Sequence, residues 1–421
     1  MIIKKKWFKI LPLFLLAAAI ALSPSFSAGA LEGERVIEIR VEDILIVILG
    51  LIWFTNFLIS GKKEFKKPPL FLPILAWLGI GLFTVLFNWI LGNLELSRGF
   101  FYFLKELEFF IIYFYVFYHI KNIDSAKFII KLWIFLGLIN AGYVFYHINA
   151  GIRSGQYGAG AICEWGVFSS GAFFLILFIF LFNIFFFYFF NLDISKFKKV
   201  ILGAMIISPA IGVLGSISKT NFLGLILALF LSFSFFFLKK KRIKIILFAV
   251  LISIVMVGAF LFTLQRMPVA SRIVDILRPS DLLLSFDAGR MSSIKSELEK
   301  AMKEPLLLPF FGYGKGYVGE AHNQYLRNFI EVGIMGSVIF LFLIFAIIKK
   351  AWDGFSKSRD PFSIGLSAGL LTATLTMLFI SIATEAFIVV KPSEVYWFFT
   401  AITMAVLSIN KGNIDYKERI N

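Results

Sequence analysis

Stretches of apolar residues long enough to cross a hydrocarbon core, roughly 17 to 25 residues each, recur along the whole chain with basic clusters between them. Twelve can be marked, at about 7–22, 44–59, 70–91, 99–120, 126–148, 166–190, 200–218, 220–238, 243–264, 329–348, 362–382 and 395–409. A backbone surrounded by lipid has to satisfy its own hydrogen bonds, and a continuous apolar segment of this length does so as a helix. Composition agrees: hydrophobic residues make up 59% of the chain and charged residues 16%, and Phe alone occurs 53 times. No water-soluble globule could hide that much apolar surface. The expected fold is an all-α polytopic membrane protein with about twelve transmembrane helices.

With the N-terminus placed inside, the connections alternate and their basic residues sort by side, as expected for a cytoplasmic membrane. Of the 42 Lys and Arg residues, 26 fall in inner segments or the span ends beside them, in clusters such as GKKEFKKP, SKFKK, KKKRIK and KKAWDGFSKSR. Both termini are then cytoplasmic. The net charge of +16 is accounted for by anchoring to membrane lipids with anionic headgroups, and no nucleic-acid partner is implied. The first thirty residues admit a second reading, because KKKWFK, a short apolar stretch and Ala28-Gly29-Ala30 also resemble a secretory signal with a small-residue cleavage site. A retained helix is preferred, and either reading delivers Leu31 to the outer side. The chain divides into a first bundle of about nine spans over 1–264, a long outer loop with amphipathic helices over 265–328, and three last spans with a cytoplasmic tail over 329–421.

Cys163 stands alone, so an internal disulfide is excluded, and no Cys/His grouping has metal-ligand spacing. No fixed-period repeat is visible, nor a matched pair of Gly/Pro-broken spans of the kind that marks the halves of a secondary transporter.

The outer loop breaks the pattern of short connections, and long ordered connections are usually functional. Its polar stretch from Ser292 to Lys303 carries Ile294, Leu298 and Met302 at helical spacing, which suits a helix lying on the membrane surface. PLLLPFFGYGKGYVGEAHN follows and delivers His322 to the start of the tenth span. Arginine has its own geography: Arg35, Arg40, Arg98, Arg153, Arg266, Arg272, Arg278, Arg290 and Arg327 lie outside, whereas the inner clusters are spelled mainly with Lys, with Arg242, Arg359 and the C-terminal Arg419 as the inner arginines. Two-point recognition of phosphate is a task that Lys performs poorly. Arg35, Arg40 and Arg272 are read as partners of nearby acids, and Arg290 and Arg278 as candidates for an anionic ligand.

Counting 3.6 residues per turn from His322 puts Gly333, eleven residues on, near the same side of a helix, with Tyr325, Phe329 and Gly336 sharing the stripe. Gly333 and Gly336 read as sites of close helix packing. His322, after a Gly-rich bend and facing an Arg-rich loop, has the makings of a general base. His147 near the outer surface is a bystander or a second proton partner, and His119 is structural. Lys105, Glu106 and Glu108 interrupt an apolar span and are expected to face a partner or a wet cavity. They either meet a sugar or pair among themselves and with Arg98.

His322-Asn323, nine positions, Gly333, two positions and Gly336 resemble the motif of the O-antigen ligase and O-antigen polymerase family, bacterial inner-membrane glycosyltransferases. Upstream, Asp287-Ala288-Gly289-Arg290, the amphipathic stretch to Lys303 and PLLLPFFGYGKGY are similar to that family's Gly-Arg, helix and Gly-rich run. The resemblance implies transfer of a glycan from an undecaprenyl diphosphate carrier to an acceptor hydroxyl on the outer face, inverting and without a metal or other cofactor. In those terms His322 is the base and Arg290 holds the leaving diphosphate, while Asn323 orients the imidazole or a sugar hydroxyl and Tyr325 lines the site. Where the family shows Ser-Arg opening a span, this chain has Ser218-Lys219. Lys219 supplies charge without the fork, and Arg153, Arg266 or Arg278 are the candidates to take over the grip. The acceptor is a lipid core for a ligase or a growing chain for a polymerase. A non-enzymatic carrier of lipid-linked sugars is the rival from another class.

Overall fold

The computed structural model of the chain describes residues 2–23, 25–30, 36–60, 67–152, 159–164, 166–240, 258, 307–319 and 321–418. The helices among them are α1 (Ile2–Leu22), α2 (Val41–Ser60), α3 (Phe71–Ile90), α4 (Leu96–His119), α5 (Ile123–Asn149), α6 (Val167–Phe187), α7 (Lys196–Gly215), α8 (Lys219–Lys240), α9 (Leu307–Phe311), α10 (Gln324–Lys357), α11 (Pro361–Ile380) and α12 (Val390–Glu418). Eight of these are long and apolar enough to cross a membrane: α3, α5, α6, α7, α8, α10, α11 and α12. The chain is thus an all-α, multi-pass membrane protein. The apolar stretch at 243–264 falls, but for Gly258, outside the described residues, as does the outer loop as far as residue 306.

Helices α5, α7, α10 and α11 start on polar side-chain caps. The side chains of Asn122, Ser195, Asn323 and Asp360 accept the N–H groups of Ser125, Lys198, Leu326 and Ser363, each three residues on. Pro361, which has no N–H to lose, opens α11. A two-stranded antiparallel hairpin, β1 (Ser25–Ala30) and β2 (Val36–Arg40), links α1 to α2. It was not expected from the sequence, where Ala28-Gly29-Ala30 reads as a cleavage context.

Burial follows how the apolar residues are distributed around each helix. In α6, FFLILFIFLFNIFFF is apolar on every side and is buried nearly throughout, packed among α7, α8, α11 and α12. On the outer helices, one face is buried while Val47, Ile48 and Leu51 of α2, Leu72 and Phe83 of α3, and Leu341, Phe342 and Phe345 of α10 are exposed. Apolar residues facing outward from a packed core are what lipid contact requires. In α1, Leu13, Leu16, Ala17, Ile20 and Ala21 are fully or almost fully buried against α2 and α5.

Successive turns gather at two opposite ends. One end is tied together by Asn88 Nδ2 donating to Gly312 O (2.9 Å), Ala159 N to Gly215 O (2.9 Å), Arg40 to Glu164 (3.1 Å) and Gln324 N to Ser381 O (3.0 Å). The other joins the α8 C-terminus to the α10–α11 turn through Lys239, and α11 to α12 through Asn410 and Ser363.

Candidate functional site

His322 stands at the first of these ends, exposed, with φ 51° in the left-handed region. A non-glycine residue there carries strain, and such residues concentrate at functional positions. The next residue, Asn323, is extended (φ −153°, ψ 118°) and caps α10, so His322 lies outside the helix. Its expected place on the Gly333 stripe is therefore wrong: a helical phase cannot be counted back through a cap.

What presents His322 is a clamp from the turn between α11 and α12. Asn323 Nδ2 donates to Ile382 O (2.8 Å), and Gln324 N donates to Ser381 O (3.0 Å) and Thr384 O (3.1 Å). Phe387 N donates to Gln324 Oε1 (3.2 Å), and Ala321 N, beside the histidine, donates to Glu385 Oε1 (2.5 Å). Both ends of the Asn323 amide are thus engaged by protein, since Oδ1 accepts Leu326 N at 3.0 Å. The side chain thus helps to position the backbone at His322. Tyr325 donates its hydroxyl to Leu378 O (2.7 Å), so it too ties α10 to α11 rather than offering a donor to a ligand.

Below the clamp, α10 is broken. Gly333 has φ 65° and ψ −168°, a conformation essentially confined to glycine. The break deprives the Ile330 and Glu331 carbonyls of their helical partners, an expensive loss within a membrane. Tyr313 N and Gly314 N supply replacements, donating to Ile330 O and Glu331 O at 2.8 Å each. The two backbones approach so closely that a Cβ on Gly312 would come within 2.5 Å of the Glu331 carbonyl, and one on Gly333 would overlap the Phe310 carbonyl. Gly336 lies against Val332, a contact created by the same break. The glycines were expected to serve close packing; Gly333 lets the end of α9 and the start of the 312–316 segment lie against α10, whereas Gly336 meets Val332 of its own helix. Both halves of the sequence motif, GYGKG and His-Asn-x9-Gly, are therefore one structural unit.

Charges pair beneath it. Arg327 is 2% exposed and bonds Glu331 (3.0 Å) and Glu385 (2.6 Å), its guanidinium lying 5.4 Å from the Tyr102 ring centre. Glu331 Oε1 also accepts Gly316 N (3.0 Å). Lys315 of the glycine-rich segment is buried, bonded to Glu106 (2.7 Å) and seated 4.0 Å from the Trp77 ring centre. A second cluster ties α12 to α2 and the hairpin: Lys391 pairs with Glu42 and lies 3.4 Å from Glu394, and Arg40 bonds Glu164. Lys105 bridges Asp43 (2.6 Å) and Glu108 (3.3 Å). Thus the three charges that interrupt α4 do face partners, but Glu106 bonds Lys315, and the Lys105 bonds run to Asp43 and Glu108, not to Arg98. Glu42, Asp43, Glu331, Glu385, Lys391 and Glu394 were missed by the sequence reading. Only the helical spacings of Arg327 with Glu331 and of Lys391 with Glu394 could have signalled pairs.

Lys219 opens α8 at this same end, half-buried on the turn after Ile217, another left-handed residue (φ 53°). Arg153, Arg266, Arg272, Arg278 and Arg290 lie outside the described residues, and the meeting of His322 with Arg290 is not described. His147 is buried with its ring tilted against that of Tyr143 (4.0 Å between ring centres), within the wall of the bundle. His119 stacks on Tyr115 with Nδ1 2.8 Å from Tyr115 O, at the opposite end, in keeping with a structural part. Burial pushes the Cys163 thiol up to about 12, so it is protonated and inert at neutral pH.

The sequence matches no protein-family model and no curated protein.

Proposed function

We propose that the chain is a lipid-linked-glycan transferase of the O-antigen ligase or polymerase kind, acting at the outer face of a bacterial cytoplasmic membrane. The observation that carries this reading is the union of the motif halves. Residues 312–316 repair the helix break at Gly333, and Arg327, bonded to Glu331 and Glu385, joins that unit to the α11–α12 turn that presents His322 exposed and strained.

In this reading, His322 takes the proton of the acceptor hydroxyl as its oxygen bonds the anomeric carbon and the bond to the carrier diphosphate breaks, with inversion. Arg290 and Lys219 face the negative charge that grows on the departing diphosphate, which leaves without a metal. Topology supports the orientation: Lys121, Lys127, Lys196, Lys198, Lys199, Lys357 and Arg359 flank the helix ends opposite His322, where the cytoplasm is expected. Both termini then lie inside. The acceptor is a lipid core or a growing chain.

The test is transfer by protein reconstituted with undecaprenyl diphosphate glycan. His322→Ala is expected to abolish transfer while the protein stays inserted and folded, because an exposed side chain contributes little packing. Arg290→Lys is expected to lose most activity despite its charge. Undiminished transfer by His322→Ala removes the base assignment, and passage of intact lipid-linked glycan across the membrane with no bond broken favours a carrier.

A further inference from the structure

At the end opposite His322, where the α8 C-terminus meets the turn between α10 and α11, a cavity of about 390 Å³ opens between Phe187, Lys239, Lys357, Ser358, Arg359 and Ile364. Among the described residues, its lining contains three cations and no carboxylate. We propose that it binds a phosphate-bearing anion, the headgroup of an anionic lipid in the adjoining leaflet. The inference does not depend on glycan transfer at the other end.

The first support is what happens to the negative groups nearby. The last carbonyls of a helix carry partial negative charge and repel an anion. Here Lys239 Nζ donates to the carbonyls of Phe355 (2.9 Å), Ser356 (2.9 Å) and Ser358 (3.4 Å), covering the C-terminus of α10 with an ammonium held in place. Of the adjacent acids, Asp353 pairs with the lining Lys357 (2.6 Å) and offsets part of its charge, and Asp360 Oδ2 accepts the Ser363 N–H (3.0 Å) and hydroxyl (2.6 Å) as the cap of α11.

The second is the division of the wall. Arg359 is exposed and has no acidic partner among the described residues, so its planar fork is available for two phosphate oxygens. Phe187 and Ile364 supply an apolar side. A cationic rim over an apolar wall at the end of a membrane bundle matches a lipid headgroup better than a fully hydrated ion, and basic pockets between transmembrane helices take such headgroups.

Full-length protein in nanodiscs of phosphatidylcholine, with and without phosphatidylglycerol, is extracted into mild detergent and its retained lipid counted by native mass spectrometry. The expected result is selective retention of phosphatidylglycerol, reduced about fivefold by Arg359→Gln and further by adding Lys357→Gln. Both side chains are exposed, so the fold is expected to survive. Displacement of phosphatidylglycerol by inorganic pyrophosphate supports the phosphate chemistry and assigns the pocket to a soluble source. Equal retention of both lipids, or equal retention of phosphatidylglycerol by wild type and the double variant, overturns the proposal.

Discussion

The two ends of the bundle use the same charged residue types to opposite effect. At the His322 end, Arg327, Lys315 and Lys391 are at most 2% exposed and each holds a carboxylate. At the far end, Lys357 has a side chain 77% exposed and pairs with a half-exposed Asp353. A charge taken out of water remains only where partners replace its hydration, so the first set is architecture that fixes backbone positions. A charge left in water costs little and fixes little, which suits anchoring to headgroups. The difference teaches that position alone decides whether a Lys in this chain is structural or electrostatic.

The most severe way to break the contrast is to remove one buried cation. Arg327→Met leaves the buried Glu331 and the part-buried Glu385 without their arginine partner, and loosens both the 312–316 segment and the residue before His322. We expect a loss of about 3–5 kcal/mol, read as a large drop in thermal unfolding temperature in detergent. Adding Glu331→Gln is expected to restore part of the loss, because it withdraws a charge the first change had orphaned. A stability equal to wild type for Arg327→Met would place the buried network on a level with the exposed one.

Next in size is the backbone device. Gly333→Ala forces a side chain into a conformation nearly exclusive to glycine and into the Phe310 carbonyl. About 1–3 kcal/mol is the cost of the conformation alone, and the overlap adds to it. Expected results are a lower unfolding temperature and faster proteolysis near residues 312–316. Gly142, where an added Cβ meets open space, serves as the control, since Gly142→Ala should be neutral or slightly stabilising within α5.

Much of this architecture is legible in the amino-acid sequence for a physical reason: lipid leaves the backbone few choices, so apolar length and basic flanks mark helices directly. Eleven of the twelve apolar stretches lie on described helices. What escapes are pairings remote in sequence. Lys315 meets Glu106 across 209 positions and Lys391 meets Glu42 across 349, and no local pattern encodes such a meeting. The hairpin escapes because its small residues mimic a cleavage context. His322 and Gly333 stand out in the sequence as special positions, but helical periodicity misplaces them relative to each other. A helix interrupted by a cap and a glycine break has no single phase, and its missing hydrogen bonds are completed by a segment outside the helix.

The smallest expected effect lies at the far end and is the sharpest test of the contrast. Lys357→Ala removes an ion pair of good geometry, 2.6 Å from Asp353 one turn earlier. Exposed pairs of this kind contribute about 0.3–0.5 kcal/mol, and salt screens even that. The unfolding temperature should move by a degree or so at most, and raising the ionic strength should erase the difference, whereas the Arg327→Met deficit should persist in high salt because ions do not reach its partners. If salt instead rescued Arg327→Met, the network beneath His322 would be wet, and its description as fixed architecture would have to yield to that of a hydrated vestibule.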